Sequence, residues 1–213
     1  MNEAPLRLQV EQAKLACDRT LKESIRAKGR DSAEHARADA IHVESLGQLG
    51  DLYRELAKVT GEPFAVPLDI PCEPALDVSG AVLVQYEHGG FILFNPRVWQ
   101  SGFAESACAL VKFPHLFVTK MGMPNEEAFP AHPLYERGLE YFPVAEVLNS
   151  EWAREAEAQN QVRFPAAAAW HARHFVFRFK DASFECLAPA YDFELLPNGR
   201  TETLDQIASR LDA

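Results

Sequence analysis

The sequence predicts an α+β fold: a mainly antiparallel sheet packed by helices, preceded by an N-terminal helical hairpin. Apolar residues recur every three or four positions in residues 1–60, prolines are concentrated in residues 61–79, and apolar and polar residues alternate within residues 80–213. These ranges predict a helical hairpin, a proline-rich connector and an α+β domain. A chain of 213 residues, 47% of them hydrophobic, is large enough to bury a core of its own.

The helical hairpin is predicted from two apolar faces separated by a break near Gly29. In the first helix this face contains Leu6, Val10, Ala13, Cys17, Leu21 and Ile25. In the second it contains Ile41, Leu46, Leu49, Leu52, Tyr53 and Leu56. Spacings of three and four place each set on one side of a helix. His35 and His42 are expected to face solvent, and the hairpin could mediate homo-oligomerisation because short helices need packing partners.

The connector contains Pro63, Pro67, Pro71 and Pro74. Proline at this density excludes a continuous helix and favours an extended chain. We therefore expect residues 61–79 to link the helices to the α+β domain.

The α+β domain should contain strands near residues 81–95, 115–120 and 173–188, packed by helices near 149–160 and 201–211. Asn149 or Ser150 is expected to cap the first of these helices, and Asn198-Gly199 to form a turn before the second. Residues 81–95 predict a hairpin with a turn at His88-Gly89 that pairs Tyr86 with Phe91 and Val84 with Leu93. Cys108 is expected on an apolar helix face.

A second hairpin is predicted at residues 173–188. A two-residue turn at Asp181-Ala182 would place Phe177 opposite Cys186. On the other face, the same register sets Arg178 opposite Glu185, which predicts a structural ion pair across the strands.

The neighbouring histidines suggest a metal site. A short helix opened by Pro165 would bring His171 and His174 to one face, three positions apart, and Asp192 could complete a His–His–carboxylate set beside Tyr191. The alternative is that the histidines only satisfy nearby carbonyl groups. If the histidines only satisfy carbonyl groups, no cofactor is predicted. If they form the metal site, the cofactor is a divalent metal.

A polar cluster in a loop-like region gives a further candidate. It contains His132, Tyr135, Glu136 and Arg137, and loops on a rigid scaffold often carry function. The alternative is an ordinary surface loop with Tyr135 packed inward. The chain contains no G-x-S-x-G, phosphate-binding loop, HExxH or EF-hand pattern.

Charge is unevenly distributed along the chain. Residues 1–60 contain 10 Lys/Arg and 10 Asp/Glu, whereas residues 61–213 contain 11 and 21 and carry the whole net charge of −10. An acidic surface repels phosphate backbones and anionic lipids, so neither nucleic acid nor membrane is expected as a partner. A basic protein partner would be complementary. The four scattered cysteines predict reduced thiols and a cytoplasmic location.

Two classes of function remain. The acidic domain, the helical hairpin and the lack of a catalytic motif favour a non-catalytic interaction protein, such as an inhibitor, an immunity-type protein or a regulatory binding protein. The alternative is a small enzyme or ligand-binding protein, metal-dependent or not, with its site around His171, His174 and Asp192. Convergence of the polar side chains on a concave pocket would favour the enzyme.

Overall fold

The structure is a computed structural model, and two long helices form its first part. Helix α1 spans Glu3–Ala27 and helix α2 spans Ser32–Thr60, and the two pack against each other along their length. The structure therefore contains the predicted helical hairpin. The described residues of the chain are 3–28, 32–75, 80–87, 89–98, 108–166 and 168–197.

The buried face of α1 differs from the predicted one beyond Cys17. Leu21 and Ile25 are 41% and 61% exposed, whereas Thr20 and Ser24 are buried. Positions 20 and 24 continue the alternating spacing of three and four from Cys17. They therefore lie on the buried face of the helix, although their residues are polar. His42 on α2 was expected in solvent, but it is buried and lies 3.0 Å from the Thr20 hydroxyl.

Eleven strands lie within the described residues. They are β1 (Phe64–Pro67), β2 (Cys72–Pro74), β3 (Val82–Tyr86), β4 (Gly89–Phe94), β5 (Pro96–Val98), β6 (Cys108–Pro114), β7 (Val118–Gly122), β8 (Val144–Leu148), β9 (Arg173–Arg178), β10 (Ser183–Ala188) and β11 (Asp192–Leu196). All pairs are antiparallel, in a five-stranded sheet of order β1-β8-β9-β10-β7, a four-stranded sheet of order β11-β6-β4-β3, and the pair β2-β5. The α+β fold is confirmed.

The five-stranded sheet lies between two hydrophobic layers. One face packs on the helical hairpin, where Leu49, Tyr53 and Leu56 of α2 join Val147 and Val176. The other face packs on the four-stranded sheet through aromatic rings: Phe113 lies 5.7 Å from both Phe175 and Phe184, measured between ring centroids. Successive residues of a strand point to opposite faces. Each residue of β9 and β10 therefore faces either the aromatic core or the helical side.

Two segments contain strands that were not predicted. Residues 61–79, expected as an extended connector, contain β1 and β2, and β1 is an edge strand of the five-stranded sheet. Proline suits an edge strand because an edge leaves N–H groups unpaired. Cys108, expected on a helix, begins β6, because the apolar run at residues 108–111 is also the pattern of a strand buried on both faces.

The first predicted hairpin forms with its register shifted by two residues. Val84 pairs with Phe91 and Tyr86 with Gly89, so the predicted pairings are wrong. Gly89, expected in the turn, belongs to β4 together with Gly90, and close neighbours leave little room for a side chain at either position. A Cβ atom on Gly90 would lie 2.9 Å from the carbonyl oxygen of Val84.

The second predicted hairpin is shifted in the same way. Ser183 lies opposite Arg178, and Val176 lies opposite Glu185, so the predicted Arg178–Glu185 pair is wrong. The loop contains four residues, 179–182, closed by a hydrogen bond from the Phe179 N–H to the Ala182 carbonyl. A shift of two keeps every side chain on its predicted face.

Helix α3 spans Glu151–Arg163, with Ser150 as its N-cap, as predicted. The helix expected after Pro165 does not form, and His171 has a φ of 52°. The predicted turn at 198–199 and helix at 201–211 lie outside the described residues. Among the described helices, none combines the length and apolar character needed to cross a membrane.

Candidate functional site

A cavity of about 340 Å³ lies on the helical side of the five-stranded sheet. Its floor is formed by strands β7 to β10, and its walls by the start of α3 and the loop that contains His132. The residues that line it are Pro63, Lys120, His132, Pro133, Leu134, Val147, Ser150, Glu151, Trp152, His174 and Glu185.

Ser150 is held at a sharp turn from strand to helix. Asn149, between β8 and α3, has a φ of 53°, and its side-chain amide donates to the carbonyls of Ala57 (2.8 Å) and Glu62 (3.0 Å). The Ser150 hydroxyl oxygen accepts a hydrogen bond of 3.1 Å from the Ala153 N–H, the usual bond of a helix N-cap. The turn therefore fixes the Ser150 hydroxyl at the cavity wall.

His174 connects Ser150 to Glu185. Its Nδ1 lies 2.9 Å from the Ser150 Oγ, and its Nε2 lies 2.9 Å from a carboxylate oxygen of Glu185. An ionised carboxylate only accepts hydrogen bonds, so Nε2 carries the proton. In the neutral imidazole, Nδ1 is then an acceptor, and the Ser150 hydroxyl donates to it. The result is a directed chain of hydrogen bonds from Ser150 through His174 to Glu185.

Glu185 is shared between two histidines. Its second oxygen lies 3.7 Å from the Nε2 of His132, whose Nδ1 accepts from the Leu134 N–H at 3.1 Å. Burial raises the pKa of Glu185, but its contacts with His132 and His174 outweigh burial and hold the pKa well below its ordinary value. The carboxylate is therefore ionised, as the tautomer assignment of His174 requires.

Aromatic contacts restrain the site on two sides. The His132 ring stacks on Phe129 at 5.4 Å between centroids, and Trp152 meets the His174 ring edge-on at 5.1 Å. The Lys120 ammonium lies 3.7 Å from the centre of the Trp152 ring. These contacts place a cation and apolar surface beside the hydrogen-bonded chain.

The predicted metal set does not converge. His171 is exposed, and Asp192 is exposed on β11, where it pairs with Lys112 of the four-stranded sheet. That sheet packs on the face of β9 opposite to His174, and Tyr191 also contacts that face, edge-on to Phe175. The described residues contain no group of three or more His, Cys, Asp or Glu that could hold a metal ion.

The predicted loop cluster is divided. His132 reaches the cavity, but Tyr135 packs on the hydrophobic core, and the Glu136 carbonyl accepts from the Tyr53 hydroxyl at 3.4 Å. Arg137 lies 3.9 Å from Glu62 and over the ring of Phe64. These three residues join the loop to the helical hairpin and β1.

Three members of the site were not predicted as site residues: Ser150, Lys120 and Trp152. Ser150 was expected only as a helix cap, and it performs that role here as well. The nearest indication in the sequence is a serine at a strand-to-helix junction, as in a nucleophile elbow, but G-x-S-x-G does not surround it.

We compared the chain with protein-family models, with curated proteins and with solved structures, and none of them matches it.

Proposed function

We propose that the protein is a small enzyme that transfers or hydrolyses acyl groups, with Ser150 as nucleophile, His174 as general base and Glu185 as the group that orients His174. The observation that carries this proposal is the chain of two 2.9 Å contacts from Ser150 through His174 to Glu185 at a cavity wall. Nucleophile, base and orienting acid within hydrogen-bond reach are the signature of this chemistry.

The mechanism follows from the direction of the hydrogen bonds. The Ser150 oxygen attacks the carbonyl carbon of an ester or thioester while its proton passes to the Nδ1 of His174. His174 then gives this proton to the leaving alcohol or thiol, and a water molecule repeats the sequence to release the acid. The first N–H groups of an α-helix have no intrahelical acceptor, so those of Glu151 and Trp152 are available to the developing oxyanion.

The use of the ring nitrogens differs from the usual arrangement. In the familiar serine triad, the serine bonds Nε2 and the acid bonds Nδ1. Here Ser150 bonds Nδ1 and Glu185 bonds Nε2. Both nitrogens can accept or donate a proton, so the exchange preserves the direction of proton transfer.

The cavity supports a small acyl group as substrate. A space of about 340 Å³ is at the lower end of small-molecule sites. Pro63, Leu134 and Val147 provide apolar walls, and Lys120 provides a cation beside them. We expect a short acyl chain, with an anionic group on the substrate near Lys120.

The test is covalent labelling of the full chain with a fluorophosphonate probe, which reacts with activated serine hydroxyls. We expect stoichiometric labelling at Ser150, located by peptide mass spectrometry, and release of p-nitrophenol from p-nitrophenyl acetate. Ser150→Asn retains a capping oxygen but has no hydroxyl, so it should fold and lose both signals. Ser45→Ala, at an exposed hydroxyl that donates to the Ile41 carbonyl, is the matched control. A folded wild type without labelling at Ser150 would contradict the proposal.

A non-catalytic interaction protein is the second candidate, and charge is the observation that favours it. The net charge of −10 lies entirely in residues 61–213, which would attract a basic protein partner in the cytoplasm. Exposed apolar residues on α1, Leu8 at 61% and Leu15 at 70%, support homo-oligomerisation through the helical hairpin. Native mass spectrometry of the protein purified from its own host tests both the basic partner and the homo-oligomer. A bare monomer at micromolar concentration would count against self-association.

A further inference from the structure

His132 faces the oxygen of Glu185 that His174 leaves unused. The Nε2 of His132 lies 3.7 Å from one carboxylate oxygen, and the Nε2 of His174 lies 2.9 Å from the other. All three side chains line the same cavity, and none is more than 15% exposed. A separation of 3.7 Å is longer than a usual hydrogen bond, but contacts among catalytic groups are often long in a free enzyme and tighten when substrate binds. His132 is therefore placed to act on Glu185, and through it on His174.

The backbone decides which nitrogen of His132 carries the proton. The Leu134 N–H donates to the Nδ1 of His132 at 3.1 Å, and a backbone N–H group can only donate. Nδ1 is therefore the unprotonated nitrogen of the neutral ring, and Nε2 carries the proton on the side of Glu185. The ring also stacks on Phe129 at 5.4 Å between centroids, which restrains its orientation.

A backbone N–H group also stands at the other end of the hydrogen-bonded chain. The Ala153 N–H donates to the Ser150 Oγ at 3.1 Å, and the same oxygen lies 2.9 Å from the Nδ1 of His174. The backbone donors at positions 134 and 153 therefore direct both halves of the chain towards Glu185. Because both histidines present an N–H group to it, a protonated Glu185 would set its own O–H group against a donor.

The Glu185 carboxylate depends on these donors to stay ionised. Burial raises the pKa of Glu185, and its contacts with His132 and His174 lower it by more. Lys120 lies opposite Glu185 on β7, but its ammonium is directed to the Trp152 ring, 3.7 Å from the ring centre. Loss of His132 would therefore leave the effect of burial on Glu185 less opposed.

We propose that His132 is a positioning residue of the Ser150 site. Its Nε2–H group fixes the second oxygen of Glu185, so that the first oxygen holds the proton of His174 on Nε2. The Nδ1 of His174 is then unprotonated and can take the proton of Ser150. This role rests on the proposed acyl-transfer function, whereas the effect of His132 on Glu185 can be measured without turnover.

Two substitutions separate the two contacts of His132. His132→Asn keeps an acceptor for the Leu134 N–H but is too short to reach Glu185, whereas His132→Gln places a donor near the position of Nε2. In hydrolysis of p-nitrophenyl acetate by the full chain, we expect His132→Asn to lower kcat about tenfold with KM unchanged, and His132→Gln to stay within about threefold of the wild type. His35→Asn, at a histidine 3.5 Å from Asp39 on α2, is the matched control and should leave kcat unchanged. Equal kcat values for the wild type and His132→Asn would overturn the proposal.

Nuclear magnetic resonance tests the same role without turnover. Imidazole ¹⁵N spectra of the wild type should show the proton of His132 on Nε2, and carboxyl ¹³C spectra should show Glu185 protonating about one pH unit higher in His132→Asn than in the wild type. A proton on the Nδ1 of His132, or unchanged protonation of Glu185, would overturn the role of His132 even if the fluorophosphonate labels Ser150. A wild type that shows both signals but is not labelled would overturn the acyl-transfer function and support the contact between His132 and Glu185.

Discussion

Replacing Glu185 by glutamine should invert the proton arrangement of the site. Glu185 accepts a hydrogen bond from His174 through one oxygen, and its other oxygen lies 3.7 Å from the Nε2 of His132. Glutamine has one oxygen and one NH₂ group, so one histidine would face a donor. His132 cannot exchange its tautomer without losing the bond from the Leu134 N–H. His174 can exchange its tautomer, because the Ser150 hydroxyl can change from hydrogen-bond donor to acceptor. We therefore expect the proton of His174 to move from Nε2 to Nδ1.

The cost in stability follows from the same contacts. A hydrogen bond to a charged group contributes about 1.5–3 kcal/mol and a neutral one about 0.5–1.5 kcal/mol, so weakening the bond from His174 should lower the free energy of unfolding by about 1–1.5 kcal/mol at pH 7. The Glu185 pKa is lowered in the folded state, so its stabilisation is present above the unfolded value of about 4.3 and is lost as the pH falls below it. The difference between variant and wild type should therefore shrink towards pH 3.

Two assays check this prediction. Urea denaturation at pH 7 and pH 3 measures the stability difference, and imidazole ¹⁵N NMR shows which nitrogen of His174 is protonated. With the proton on Nδ1, Ser150 loses its acceptor, and acyl transfer should fall by about 10⁴-fold, as in triads whose acid is replaced by its amide. A His174 proton that stays on Nε2 in the glutamine variant, or a stability difference independent of pH, would refute the reasoning.

Three further predictions concern stability. Gly138→Ala should lower the free energy of unfolding by about 3–5 kcal/mol, because φ is 115° and a Cβ would overlap a backbone carbonyl of β1. Gly61→Ala, where φ is 71° and the space is open, should lower it by about 1 kcal/mol. Equal midpoints of the two variants in urea would be inconsistent with this. Burial lowers the pKa of His42, so stability should fall as the pH drops below about 6.5, and His42→Gln should flatten that slope in urea titrations at several pH values. Phe113→Ala should cost about 3–5 kcal/mol and Phe164→Ala, 58% exposed, less than about 0.5 kcal/mol, as measured by chemical denaturation.

Periodicity predicted the fold class and the faces of the strands, but not the pairing of the hairpins. Phe177 and Phe184 lie on the aromatic face as expected, because alternation of period two survives a shift of two residues. The pairing depends on loop length and on close contacts. At Gly90, both the backbone of β3 and Leu116 approach, and these contacts involve neighbours that the local sequence cannot identify.

The candidate site was predicted only in part for a related reason. His132, His174 and Glu185 were singled out, but each was assigned a different partner. The loop, β9 and β10 bring them together, and Ser150 arrives on a fourth segment. Short-range spacing favoured the His171 pair, although the helix it required does not form. Convergence from distant segments is set by the tertiary fold and leaves no local pattern.

The Asn149 side chain ties the end of α2 to the start of α3. Its amide holds the carbonyls of Ala57 and Glu62 from the residue next to Ser150. When the last turn of α2 opens, this clamp is released and Ser150 loses its fixed position. Amide protons near Ala57 and at the start of α3 should therefore exchange with solvent as one cooperative unit, with a common opening free energy. A fragment lacking the helical hairpin would lose the hydroxyl geometry even if its sheets stayed folded.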